Sequence, residues 1–169
     1  MAKTSYAIAI GSNRRHGRHG GPAQVVEAAL QALEAQGVKV EARSRVHRTP
    51  ALGPAGREFA NAAAVVRAKI DPPAMLALLK RIEGAFGRRA GRRWGPRVLD
   101  LDIILWSDGI WRARKLVVPH AGFAARGFVL TPLAEVAGDW PIPRHGATPR
   151  HLLARFNRRR AIDQRPLNT

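Results

Sequence analysis

Apolar and polar positions alternate along this chain with two different periods, and the periods divide it into elements. Ser5 to Ile10 is a short apolar run closed by Gly11-Ser12-Asn13, the pattern of a buried strand and its turn. Arg14 to Gly21 is basic and glycine-rich and reads as a mobile loop. Pro22 then opens a helix, with Val25, Val26, Ala29, Leu30 and Leu33 at helical spacing and Gly37 at its end. From Val38 to Val46 the period drops to two. Val38, Val40, Ala42, Ser44 and Val46 share one face and Lys39, Glu41, Arg43 and Arg45 the other, as in a half-exposed strand. Thr49 to Gly56 is a Pro- and Gly-rich loop, and Phe59 to Ala68 is a strand rich in Ala and Val. Asp71 caps a helix running through Pro72 and Pro73 to about Phe86, with Met75, Leu76, Leu79 and Ile82 inside.

Gly87 to Arg97 is a loop carrying five arginines, followed by a strand from Val98 to Trp106. A turn near Ser107-Asp108-Gly109 leads to one more short strand ending about Val118, and a loop starts at Pro119 and His120. The pattern of Phe128 to Val136 suits a helix and a strand equally. Thr148 caps a short helix from His151 to Phe156, and the last dozen residues are polar and basic and read as a disordered tail. The order strand, helix, strand, strand, helix, strand predicts an α+β fold: a ferredoxin-like βαββαβ core with extra strands and helices in three α/β/α layers.

Bulk properties narrow this picture. A chain of 169 residues has the length of one domain, and neither an internal repeat nor a linker divides it. The absence of cysteine excludes disulfides and thiolate metal sites. The opening ten residues are too short an apolar run for a signal peptide, and there is no stretch of about 18 apolar residues to span a membrane, so a soluble, cytoplasmic protein is expected. The net charge of +17 favours polyanionic partners, among them nucleotides and nucleic acids. An Arg- and Ala-favouring genome explains the same excess, and both origins stay open.

The sharpest chemical feature is Asp100-Leu101-Asp102 inside an apolar strand. Residues two apart point to the same face, so the two acids stand side by side, roughly 6–7 Å apart at the backbone. Leu99, Leu101, Ile103 and Leu105 form the opposite, inward face, and Val98, Ile104 and Trp106 flank the acids. Partly buried like charges repel and lose hydration. A divalent cation removes that cost, and hard oxygen ligands favour Mg²⁺; arginines bridging a polar strand face are the structural alternative. Directly upstream, Arg88, Arg89, Arg92, Arg93 and Arg97 alternate with glycines, which suits a lid closing on phosphates. Guanidinium groups beside a metal-binding acid pair are the parts of a phosphoryl-transfer site. Neither the P-loop motif nor the glycine loop of protein kinases is present. Phe59, Asn61 and Phe128 could sandwich a flat heterocycle and read its edge, although each alone reads as core. His16 and His19 share the basic loop. His120 could contact a phosphate.

Arg93 to Leu105 (RWGPRVLDLDIIL) and Val118 to Ala137 (VPHAGFAARGFVLTPLAEVA), preceded in order by AIGSN (Ala9 to Asn13), RTPALGP (Arg48 to Pro54) and FANAA (Phe59 to Ala63), resemble 6-hydroxymethyl-7,8-dihydropterin pyrophosphokinase over roughly residues 5 to 157. The resemblance implies a single catalytic domain of that kind over 1–157, with 158–169 a basic C-terminal tail. It implies transfer of pyrophosphate from ATP to 6-hydroxymethyl-7,8-dihydropterin in folate biosynthesis, leaving AMP, with two Mg²⁺ ions held by Asp100 and Asp102. It makes Arg88 and Arg97 the catalytic-loop arginines. Glu83, Trp94, Ile103, Lys115, His120 and Arg126 match ATP-binding positions. Thr49, Pro50, Leu52, Phe59, Asn61 and Phe128 match pterin-binding positions. ATP and the pterin are the expected partners of a monomer that needs neither a membrane nor nucleic acid. Phe59 stands where the family has Tyr, Lys115 where it has Arg, and Ala121 where it has an aromatic residue. The loops at Pro54 to Glu58 and Ala90 to Arg92 are a residue shorter. Two rivals are a basic nucleic-acid-binding module, which lacks RNP-like motifs, and an inactive family member, which the presence of every key acid and arginine opposes.

Overall fold

The computed structural model describes residues 1–49, 56–87 and 98–163. Four antiparallel strands form the frame of the sheet: β1 (Thr4–Ser12), β2 (Lys39–Arg43), β4 (Phe59–Ala68) and β5 (Asp100–Trp106), in the order β2-β4-β1-β5. The short β3 (His47–Thr49) also pairs with β4. Helices α1 (Pro22–Ala35) and α2 (Pro72–Ala85) cross between strands to give the ferredoxin-like βαββαβ order. They cover one face of the sheet; α3 (Gly127–Ala137) covers part of the other and packs against α4 (Pro149–Asp163).

The alternation in β1 explains why the layers differ. Tyr6, Ile8 and Ile10 point into the larger core with α1 and α2, while Ala7 and Ala9 face the α3 side. β4 repeats the scheme: Ala60, Ala62, Ala64 and Val66 sit in the first core, Ala63 and Val65 in the second. Ala7, Ala9 and Ala63, which β1 and β4 turn towards α3, are small, so α3 can approach these strands. Asp71 caps α2 by accepting from the Ala74 amide at 2.9 Å, an arrangement worth about 1 kcal/mol. Gly37 takes the positive φ of 79° at which α1 ends.

Several elements differ from the sequence expectation. The segment expected as one strand from Val38 to Val46 is β2, with a bulge between Val40 and Ala42, and then an irregular link to β3. β5 contains a bulge at Ile104: Leu105 pairs with Ala7 but Ile103 with Ile8. One extra residue reverses the facing of everything after it. Leu105 therefore lies in the α3 core rather than beside Leu101, and Trp106 packs on the first core, its ring stacked 6.5 Å from Tyr6. The single strand expected up to Val118 is a hairpin, β6 (Trp111–Ala113) and β7 (Leu116–Val118), because the polar Arg114-Lys115 turns the chain back. The ambiguous Phe128 segment is helical, burying Val129, Leu130, Leu133 and Ala137 along one stripe in spite of Pro132.

Two basic segments are more ordered than composition suggests. His16 and Gly20 exchange backbone hydrogen bonds of 2.7 and 2.9 Å, and Nδ1 of His16 accepts from the Arg18 and His19 amides. The His19 imidazole stacks on Phe86, with the His16 ring tilted against both, so residues 16–20 form a closed turn. Helix α4 runs on through Asp163, so residues 158–163, read from sequence as tail, are helical. Thr148 and His151 cap it reciprocally, the Thr148 amide donating to Nδ1 of His151 and the His151 amide to Oγ1 of Thr148.

Glu135 on α3 accepts from the Arg45 amide at 2.9 Å and pairs with His47, tying α3 to the β2–β3 link. Burial alone would raise its carboxyl, but the Arg45 amide, His47 and the Arg45 charge outweigh burial and hold it below the usual carboxylate range. A depressed carboxyl stabilises the fold above its unfolded pKa, and that contribution is lost as pH falls through the folded value. Glu135→Gln is therefore expected to melt over a shallower acid slope than the parent between about pH 5 and pH 3. Parallel slopes in thermal melts would remove this contact from the acid response.

Candidate active site

The open part of the sheet face holds a cavity of about 550 Å³. Register builds its floor. Gly11 on the central β1 pairs with Asn61 of β4 on one side and with Asp100 of β5 on the other, and Ala9 pairs with Asp102. Cross-strand partners share a face, so the acid pair, the amide of Asn61 and the small residues of β1 present themselves together. Thr49 at the end of β3, Phe59, Arg126 and Phe128 complete the lining. Phe59 and Phe128 are 44% and 57% exposed, which leaves both rings free to stack on a flat molecule.

The two carboxylates are less buried than the sequence suggested. Asp100 is exposed and Asp102 half-buried, so desolvation is a smaller part of their case for a cation than their shared cavity. Their oxygens suit a hard ion such as Mg²⁺, and no thiolate competes. Among the described residues there is no cluster of three or more His, Cys, Asp or Glu side chains. An ion here would need water or phosphate oxygens for its remaining ligands, the usual habit of Mg²⁺.

Of the residues singled out from sequence, Asp100, Asp102, Thr49, Phe59, Asn61, Arg126 and Phe128 converge on this cavity. Four others do not line it. Glu83 is buried on α2, where its Oε1 accepts from the Leu101 amide at 2.7 Å and its carboxylate pairs with Lys80 at 3.1 Å. The Ile103 side chain is buried in the core against α1 and α2, on the far side of the sheet from the acids. Lys115 is exposed in the hairpin turn. His120 donates its amide to the Ile104 carbonyl at 3.0 Å, and its Nδ1 is buried with no hydrogen-bond partner. Pro50, Leu52, Arg88, Trp94 and Arg97, with the rest of the arginine loop, lie outside the described residues.

Sequence reading missed the structural part of Gly11. A Cβ built on it would lie 3.1 Å from Oδ1 of Asn61, closer than ordinary van der Waals contact. Gly11→Ala is expected to turn the Asn61 amide away from its present rotamer, at about 0.5–1.5 kcal/mol. If Asn61 reads the pterin edge, the KM for pterin should rise about three- to tenfold with kcat little changed. An unchanged pterin KM would mean that Asn61 does not read the substrate.

The sequence profile described as 7,8-dihydro-6-hydroxymethylpterin-pyrophosphokinase (HPPK) matches residues 7–138. The chain belongs to this family. Relatives named 2-amino-4-hydroxy-6-hydroxymethyldihydropteridine pyrophosphokinase include one from Methylorubrum extorquens, 38% identical over 152 residues, covering 89% of this chain and 92% of the relative. The one from Pseudomonas aeruginosa is 37% identical over 149 residues, 87% of this chain and 89% of its own length. That from Synechocystis is 42% identical over 112 residues, 66% of this chain and 57% of the relative. Among solved structures, wild-type Plasmodium falciparum HPPK-DHPS superposes with a TM-score of 0.72 at 13% identity over 96% of this chain. This chain spans 46% of that protein's length, and the likeness shows a shared fold.

The HPPK fold also bears on the nucleic-acid rival. Sheets that read RNA present aromatic residues on an open face. Here helices cover one face and α3 part of the other, and the exposed ring that the sheet does present, Phe59, shares its cavity with the acids Asp100 and Asp102, whose charge repels a polyanion. Among the described residues no helix is long and apolar enough to cross a membrane.

Proposed function

We propose that this chain transfers the pyrophosphoryl group of ATP to the hydroxymethyl oxygen of 6-hydroxymethyl-7,8-dihydropterin. The observation that carries the reading is convergence: in a member of this family, an acid pair, an amide and two exposed aromatic rings line one cavity. The pterin would lie between Phe59 and Phe128, with Asn61 and Thr49 at its hydrogen-bonding edge. Its hydroxyl oxygen would bond to the β-phosphorus as the bond from that phosphorus to the α–β bridging oxygen breaks. AMP leaves with the bridging oxygen, and the hydroxyl proton passes to solvent.

Asp100 and Asp102 would hold two Mg²⁺ ions with the triphosphate, and bound Mg²⁺ supplies charge neutralisation for the phosphate oxygens. Arg126, at the mouth of the same cavity and at the start of α3, would draw a phosphate towards the pterin. Arg88 and Arg97, with Trp94, take the catalytic and covering roles that the family resemblance gives them. Mixing the full chain with ATP, Mg²⁺ and the pterin alcohol should release AMP only when all three are present. Release of ADP, or AMP formation indifferent to the pterin, would contradict the reading.

A further inference from the structure

A second cavity of about 470 Å³ lies between α4 and the 3-10 turn Phe123–Ala125, outside the site just described. Leu152, half-buried Phe156 and Ala124 supply its apolar lining, and His145, Arg155, Arg159 and Arg160 supply its polar lining. Asp163 is the one carboxylate on its wall. The first turn of α4 does hold an ion pair, Arg150 with Asp139 at 3.1 Å. No ion pair engages Arg155, Arg159 or Arg160 among the described residues.

The aromatic element of this cavity packs directly on the backbone. A Cβ on Gly127 would meet Cε1 of Phe156 at 2.5 Å, so the edge of that ring rests directly on the backbone between Arg126 and Phe128. The ring is thereby seated against the backbone at the wall of the cavity. An aromatic ring beside guanidinium groups that no ion pair engages is the combination that binds a base with its phosphate: the ring stacks, and planar forks take the phosphate oxygens. The volume falls in the range of sites for small molecules. An ordinary solvated basic face needs neither the ring nor the cavity.

We propose that this α4 groove is a second ligand site, specific for a phosphate-bearing flat aromatic molecule of mononucleotide size. The groove's own lining carries the proposal; the proposed function enters only through the ligands that block the first cavity and the AMP release that serves as control. AMP is the probe. The full chain, with its first cavity saturated by Mg²⁺, a non-hydrolysable ATP analogue and the pterin, is titrated while backbone amide resonances are followed by NMR. AMP should shift Ala124, Ala125, Phe156 and Arg160, and Arg155→Ala/Arg159→Ala should weaken that binding at least about tenfold while leaving AMP release by the first site unchanged. Adenosine and inorganic pyrophosphate should each bind at least about tenfold more weakly than AMP. Pyrophosphate binding as tightly as AMP would reveal a solvated basic face only and overturn the proposal. So would shifts confined to the first cavity, or an unchanged affinity in the double variant.

Discussion

Asp100→Ala and Asp102→Ala are each expected to lower kcat/KM for AMP release by about a thousandfold or more, with little change in melting temperature. Each substitution removes a hard oxygen ligand from the cation that would neutralise the triphosphate. Several kcal/mol of charge stabilisation are at stake there, and about 4 kcal/mol corresponds to three orders of magnitude in rate. The fold should tolerate the loss because Asp100 is exposed and Asp102 half-buried at the open end of β5, and neither belongs to either hydrophobic core. Because the two carboxylates act on one ion cluster, the double variant should be scarcely worse than the single ones. Activity within about tenfold of the parent in either variant would take the acid pair out of the mechanism.

The second large effect is expected at Glu83. Its carboxylate accepts the amide of Leu101, the residue between the two acids, and pairs with Lys80 on its own helix. Glu83→Ala would leave the Leu101 amide without this acceptor. A buried polar group that loses its partner costs about 1–3 kcal/mol, which in a chain of this length lowers the melting temperature by roughly 2–10 °C. It would also loosen the start of β5, where the acids are mounted, so the Mg²⁺ concentration needed for half-maximal activity should rise. Glu83→Gln keeps an oxygen for the Leu101 amide and loses only the charge. It should recover most of the Mg²⁺ response, because the Lys80 ammonium is partly solvated and its pairing counts for less. If the glutamine variant behaved like the alanine one, the charge of Glu83 rather than its hydrogen bond would carry the effect.

The frame was readable because β1 is a short apolar run closed by Gly11-Ser12-Asn13, β4 is a run of Ala and Val, and α1 and α2 carry their own start signals, Pro22 and Asp71. The end of β5 was not readable. After Asp102 the chain runs Ile103-Ile104-Leu105-Trp106, with no polar residue to mark its phase, so an inserted residue at Ile104 leaves no trace in the pattern. α3 was ambiguous because Pro132 interrupts its apolar stripe and a proline inside a helix argues against the assignment. Tertiary packing of Leu130 and Leu133 decides the matter.

The site divides the same way. Asp100 and Asp102 announce themselves as charges in an apolar strand, whereas Phe59, Asn61 and Phe128 each alone read as core and gain a binding role chiefly from the family likeness. Gly11 contributes only the side chain it lacks, and its importance follows from register, which pairs it with Asn61 and Asp100 together. Glu83 looked like a nucleotide ligand by position, but its carboxylate is turned into the protein towards the backbone of β5. Sequence position names a residue's neighbourhood, whereas the direction of a buried carboxylate depends on which amide the fold leaves without a partner.

Phosphorus NMR of the products formed from ATP, Mg²⁺ and 6-hydroxymethyl-7,8-dihydropterin tests the central claim most directly. The account predicts AMP and an organic diphosphate in equal amounts, with both the β- and γ-phosphorus of ATP carried together onto the pterin. A pterin monophosphate with ADP, or inorganic pyrophosphate with an unmodified pterin, would contradict it.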